Sequence, residues 1–240
     1  MKYHNSLKLF DNIFCYIWNG MGNNCNTVVL TDALTGDKRH IIIDPGHITN
    51  EFNEPCFESL EKTMASDKIN INNIGLIINT HSHPDHCEAN DLIVNKSRAM
   101  VAMSKEEDEF RNSVGKELFR LFGLKFPGFS TGLFLKEGDF DLHNAAFKIR
   151  IILCPGHSPG SICLFLPDNR VLITGDVIFF MSIGRTDFPG GDINLLKNSI
   201  QKLAKLEVDY LIPGHNTDPQ GIIKGRERVK QNFEAVQMFF

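Results

Sequence analysis

The apolar residues of this chain come in short runs bounded by polar and turn-forming residues. Three of them, Ile13–Trp18, Thr27–Thr31 and His40–Ile43, are alternating or continuous and β-rich, which predicts strands. Between the last two, Thr35-Gly36-Asp37 supplies a hairpin signal. Pro55–Ala65 has the spacing of an amphipathic helix, and the apolar run Gly75–Asn79 predicts a buried strand. Cys87–Val94 reads as helix and Met100–Met103 as a short strand. Ser104, with Glu107 three residues on, has the form of a capping box and predicts a helix from Lys105 towards Phe122. Further strands are expected at Phe147–Leu153, Ser161–Leu166, Val171–Thr174 and Asp209–Ile212, with helices at Asn194–Leu206 and Ile222–Gln237.

Strands followed by helix, in both halves, imply two sheets packed together with helices outside. No repeat, low-complexity run or Pro/Ser-rich linker divides the chain, so residues 1–240 are expected to form one domain. The interval from His86 to His157 is longer than such a sandwich needs. It holds Phe110, Phe119, Phe122, Phe126, Phe129 and Phe134, so a helical, Phe-rich insertion is expected around residues 104–134. That segment suits a lid over an apolar substrate, a subunit contact in a homodimer, or plain packing.

Composition narrows the classes. With 42% hydrophobic residues the chain can bury a sizeable core, and its net charge of −4 offers no excess of cations for a phosphate backbone, so nucleic acid is not an expected partner. Met1–Asn12 lacks the apolar run of a signal peptide, and no stretch is long and apolar enough to span a membrane, so a soluble cytoplasmic protein acting on a small molecule is the simplest expectation. The six cysteines form no C-x-x-C pair and read as buried thiols.

The chemistry concentrates after the run Leu76-Ile77-Ile78, in Thr80-His81-Ser82-His83-Pro84-Asp85-His86. Three imidazoles and a carboxylate at a strand end suit zinc, iron and related cations. Strand periodicity points His81 and His83 the same way. His157 in Pro155-Gly156-His157, Asp176 in Thr174-Gly175-Asp176 and His215 in Pro213-Gly214-His215 each follow a predicted strand and a glycine. Asp44, at the end of the strand Ile41-Ile42-Ile43, is a candidate partner for a ligand imidazole. Arg185 is a candidate for a substrate carboxylate, or for an internal ion pair with Asp187. His4, His40, His47 and His143 have no motif around them and read as surface or turn histidines.

The set H-x-H-x-D-H, then His, Asp and His, resembles the metallo-β-lactamase fold superfamily and matches its pattern at every position. The resemblance implies an αββα sandwich, an α/β fold of two mixed β-sheets with helices on the outside. It implies that His81, His83 and His157 hold one metal, that Asp85, His86 and His215 hold a second, and that Asp176 bridges them. β-Lactamases of this fold usually carry Cys where Asp176 stands, and flavodiiron proteins carry Glu where His83 stands, so neither branch is expected. Ile183-Gly184-Arg185-Thr186-Asp187-Phe188 is similar to the Gly-Arg step of the glyoxalase II-like group and of the related persulfide dioxygenases. Full-length glyoxalase II carries a helical C-terminal domain that helps bind glutathione; with residues 216–240 too few for it, such a domain is not expected here. The implied activity is hydrolysis of a thioester or ester by a metal-bound hydroxide. Two divalent cations are expected, zinc first and iron or manganese as alternatives, with Asp85 and Asp176 as the catalytic carboxylates. The alternative is a mononuclear iron dioxygenase using His81, His157 and Asp176.

Overall fold

A computed structural model describes residues 3–142, 147–216, 218 and 220–240. His143 lies outside them. Seven strands make the first sheet in chain order: β1 (His4–Phe10), β2 (Ile13–Trp18), β3 (Thr27–Leu30), β4 (His40–Ile43), β5 (Ile74–Ile78), β6 (Met100–Ser104) and β7 (Thr131–Leu135). Its first four strands pair antiparallel and its last three join in parallel, as crossovers through helices require. Those helices are α1 (Cys56–Ser66), then α2 (Pro84–Cys87) and α3 (Asn90–Ser97), then α4 (Lys105–Asn112) and α5 (Gly115–Leu121).

The second half adds β8 (Gly138–Phe140), β9 (Ile149–Leu153), β10 (Ile162–Leu166) and β11 (Val171–Gly175), then the small hairpin β12 (Ile178–Phe179) and β13 (Ser182–Ile183). After α6 (Ile193–Leu203) come β14 (Tyr210–Pro213), β15 (Ile223–Lys224) and α7 (Arg226–Val236). The second sheet runs β15-β14-β11-β10-β9-β8, with β11 and β14 parallel and the rest antiparallel.

Three buried clusters give the layers. Alternation along β2 sends Ile13, Cys15 and Ile17 into the space between the sheets, where they share a core with Ile151, Leu164 and Ile173. Its other face sends Phe14 and Tyr16 towards Leu60 and Met64 of α1 and Ile93 of α3. On the far side, Phe165 and Leu172 pack with Leu196 and Ile200 of α6 and Phe233 of α7. This is the two-sheet α/β sandwich expected from the pattern. All six cysteines are buried free thiols.

Several elements differ from expectation. β1 went unforeseen because its inward positions are few, and pairing with β2 supplies its order. The helix expected from Lys105 to Phe122 breaks at Ser113, and the new axis of α5 turns Leu118 and Phe119 inward. The last helix starts at Arg226 instead of Ile222, because Ile223 pairs with Leu211 as a strand. The segment around residues 104–134 is less of an insertion than its length implied. Thr131–Leu135 is a strand of the first sheet, and Phe119, Phe126 and Phe129 pack in the outer core. There the buried guanidinium of Arg111 lies 4.4 Å from the Phe126 ring and 3.7 Å from that of Phe129. Among the described residues no helix is long and apolar enough to cross a membrane.

Candidate metal centre and cleft

The segments leaving β5, β9, β11 and β14 converge and bring all seven predicted ligand residues together. Within 4.8 Å of one another lie ring and carboxylate atoms of three groups: His81, His83 and His157; His81, His86 and Asp176; Asp85, His86 and His215. His157 Nε2 is 3.2 Å from His81 Nε2 and 2.9 Å from His83 Nδ1. His215 Nε2 is 3.1 Å from Asp85 Oδ2 and 3.3 Å from Asp176 Oδ2. Asp176 stands between the groups, its Oδ1 3.2 Å from His86 Nε2 and its Oδ2 3.6 Å from His157 Nε2.

Outer partners orient three of the rings, His81, His86 and His157. His157 Nδ1 lies 2.7 Å from the carbonyl oxygen of Arg185, which can only accept, so this nitrogen carries the proton. His86 Nδ1 donates to Asp44 Oδ2 at 3.0 Å by the same logic. Thr80 Oγ1 spends its proton on Asp44 Oδ2 at 2.6 Å and accepts from His81 Nδ1 at 3.1 Å. With the outer nitrogens so engaged, the Nε2 atoms of His81, His86 and His157 face each other and two carboxylates. His83 Nε2 and Asp176 Oδ1 are buried without a hydrogen-bond partner. A buried nest of acceptors is stable only around a cation. This donor set of imidazoles and carboxylates fits two divalent ions.

The electrostatics agree. Burial, then the neighbouring imidazoles, holds His81 well below its ordinary value, and His83 falls to about 3, so both stay neutral as ligands must. His86 and His215 go the other way. Burial disfavours their charged form, yet Asp176, with Asp85 and in the case of His86 also Asp44, raises both, His215 to about 10. In the absence of a metal, protons take the place of the positive charge that these carboxylates demand.

Two glycines let the backbone close this tightly. A Cβ on Gly214 would lie 2.1 Å from Asp176 Oδ1, and one on Gly184 would lie 1.8 Å from the Asp176 carbonyl oxygen and 3.2 Å from the His157 ring. The Gly-Arg step thus serves the site through backbone: Gly184 for its lack of a side chain, Arg185 for its carbonyl. The Arg185 side chain is exposed and bonded to both carboxylate oxygens of Asp187, at 2.9 and 2.7 Å.

Sequence reasoning missed Glu107. Its carboxylate is fully buried and does not close the capping box; Ser104 alone caps α4. It accepts from Ser82 N at 2.8 Å, Ser82 Oγ at 2.6 Å, Ser158 Oγ at 2.7 Å and Gly160 N at 2.9 Å. It ties the turn carrying His81 and His83 to the turn carrying His157. The only signal was a serine beside each ligand histidine. Three histidines read as surface residues are buried instead. His4 packs edge-on against Trp18 beside Ser59, and burial lowers it to about 3. His40 accepts from Asp32 N at 3.1 Å, and His47 pairs with Glu88 at 2.7 Å.

Above the cluster opens a cleft of about 890 Å³, with His83, Asp85, His157, Asp176 and His215 in its floor. The Phe-rich segment contributes one wall through Leu118, Phe122 and Leu124, joined by Phe188.

The metallo-β-lactamase superfamily profile matches residues 20–215. A "probable metallo-hydrolase" of Methanocaldococcus jannaschii is 35% identical over 202 residues, 82% of this chain and 90% of the relative. The hydroxyacylglutathione hydrolase GloC of Haemophilus influenzae is 33% identical over 187 residues, 75% of this chain and 82% of that one. Among solved structures, the B3 metallo-β-lactamase BLEG-1 superposes with a TM-score of 0.67 at 28% identity, over 86% of this chain and 90% of its own. A protein titled TTHA1623, solved in a di-iron-bound form, gives 0.63 at 26%, over 80% and 87%.

Proposed function

The chain belongs to the metallo-β-lactamase superfamily and is a metal-dependent hydrolase of that fold, and from there we propose that it cleaves a thioester or ester at a two-metal centre of the glyoxalase II-like type. The observation that carries this reading is the convergence of imidazole nitrogens and two carboxylates in three adjoining groups, with Asp176 within 3.6 Å of His86, His157 and His215. In the proposal His81, His83 and His157 hold one ion, Asp85, His86 and His215 the other, and Asp176 both. Zinc is the first choice of metal, with iron or manganese as alternatives. Bound there, the two cations supply a water acidic enough to attack at neutral pH and a Lewis acid for the carbonyl.

The rest falls to the chain. The Arg185 carbonyl, Thr80 and Asp44 hold three ligand rings so that each Nε2 faces inward. Asp85 lies on the cleft floor with Asn23 Nδ2 donating to its Oδ2 at 2.8 Å, placed to take the proton the attacking water releases. Asp176, between the ligand groups, fixes where that water sits. A single iron would need only His81, His157 and Asp176, which leaves four converging residues without a task; this favours the hydrolase over a persulfide dioxygenase.

Protein loaded with zinc or with iron tests the reading in matched assays. One follows cleavage of a 2-hydroxyacyl glutathione thioester and a neutral thioester, one follows oxygen uptake with glutathione persulfide, and one offers a β-lactam, because a solved B3 lactamase is 28% identical. The expected result is thioester cleavage in the zinc form, unchanged without oxygen and badly impaired in His83→Ala and His215→Ala. Oxygen uptake confined to the iron form, with no thioester cleavage in either, overturns it.

A further inference from the structure

The two sides of the cleft differ in kind. On one, Phe122 is 52% exposed and meets Phe188 edge to face at 6.1 Å, and the Phe188 ring in turn stands 5.7 Å from that of His83. Leu118 and Leu124 continue this apolar surface, which therefore begins beside a predicted ligand and ends at the mouth. On the other side lie Asn50, Glu51, Asn53 and Glu88. Glu88 is paired with His47 at 2.7 Å and Glu51 accepts from Asn23 N at 2.8 Å; of the described Lys and Arg residues only Arg185 lines the cleft, and Asp187 takes its Nε–Nη2 edge. The guanidinium also lies 4.1 Å from the Phe188 ring, a cation–π contact with the apolar wall.

Glutathione carries two carboxylates several bonds from a scissile thioester. They would reach the rim, where the Glu51 carboxylate stands and Asp187 already shares the one arginine among the described lining residues. An uncharged aromatic or aliphatic group loses nothing there and gains contact with Phe122, Phe188 and the partly exposed Leu124. We propose that the cleft selects thioesters or esters whose acyl or leaving group is apolar and uncharged, an arylacyl or medium-chain acyl group on a neutral carrier, over glutathione thioesters. The proposal rests on the hydrolase reading for its chemistry but not for its binding preference.

Stable thioethers separate the two. Calorimetry with S-phenethyl-N-acetylcysteamine, neutral and apolar, and with S-methylglutathione, anionic and nearly without an apolar group, reads recognition with no turnover. The neutral ligand is expected to bind at least tenfold more tightly, and Phe122→Ala to shrink that gap to about threefold or less. Asp187→Asn, at an exposed position, releases Arg185 and is expected to strengthen S-methylglutathione binding at least threefold while leaving the neutral ligand within twofold. Equal or tighter binding of S-methylglutathione by the unmodified protein overturns the proposal, as does an Asp187→Asn variant with unaltered affinity for it. Loss of turnover on every thioester, with the binding preference intact, instead defeats the hydrolase reading and leaves this one standing.

Discussion

The floor of the cleft and its apolar wall are built on opposite principles. His81, His86 and His157 are each oriented by an acceptor behind the ring, and the turns that carry them are tied by two buried carboxylates, Asp44 and Glu107. Such a network is stiff, because any member that turns away leaves a buried polar atom unpaired. The wall has no such network at its tip. Phe122 and Leu121 are largely exposed, and only ring contacts place Phe122. A catalyst needs the first kind of region to hold charge in a fixed geometry. It can accept the second kind where apolar contact, which is not directional, does the selecting.

The largest expected effect comes from breaking the floor at its centre. Asp176→Ala removes the carboxylate that stands between the two ligand groups, so metal analysis is expected to show occupancy falling at both positions, with activity down by more than roughly 100-fold. Two tightly held metals and full activity in this variant refute a bridging role.

Next come the carboxylates behind the ligands. Glu107→Gln turns an acceptor into a donor against Ser82, Ser158 and Gly160, and Asp44→Asn does the same towards Thr80 and His86. Each is expected to weaken metal binding by about 10- to 100-fold in chelator competition. Wild-type affinity in Glu107→Gln means that this carboxylate merely fills space.

The smallest effects lie in the wall, where two neighbours should part company. Phe126 sits 5.3 Å from the Phe119 ring and against Arg111, so Phe126→Ser is expected to cost about 2–3 kcal/mol of stability in denaturant titration. Phe122→Ser, at the exposed tip, should cost less than about 1 kcal/mol and raise KM for an apolar thioester with little change in kcat. Equal losses of stability with KM unmoved make both residues ordinary core.

The strands that carry the ligands were legible because each is a short β-rich run with its ligand at the end, as at Leu76-Ile77-Ile78 before His81. Asp44 was legible too, since a carboxylate closing the buried strand Ile41-Ile42-Ile43 has few other uses. Glu107 was hidden: a glutamate in the first turn of a capped helix needs no further explanation, and its three partner residues lie 25 to 53 positions away. His47 and Glu88 were hidden for the same reason, being 41 positions apart.

By itself the sequence determined the strand and helix pattern, the class of two packed sheets and the identity of the residues that gather at the strand ends. Local periodicity and residue chemistry are enough for these, because an alternating strand has one face to bury and a run of histidines has few uses. Tertiary structure alone decided how the rings of His81, His86 and His157 are turned, that Arg185 serves through its carbonyl while Asp187 takes its side chain, and which phenylalanines line the cleft instead of the core. These depend on what stands opposite a side chain in space, and long-range packing, not spacing along the chain, sets that.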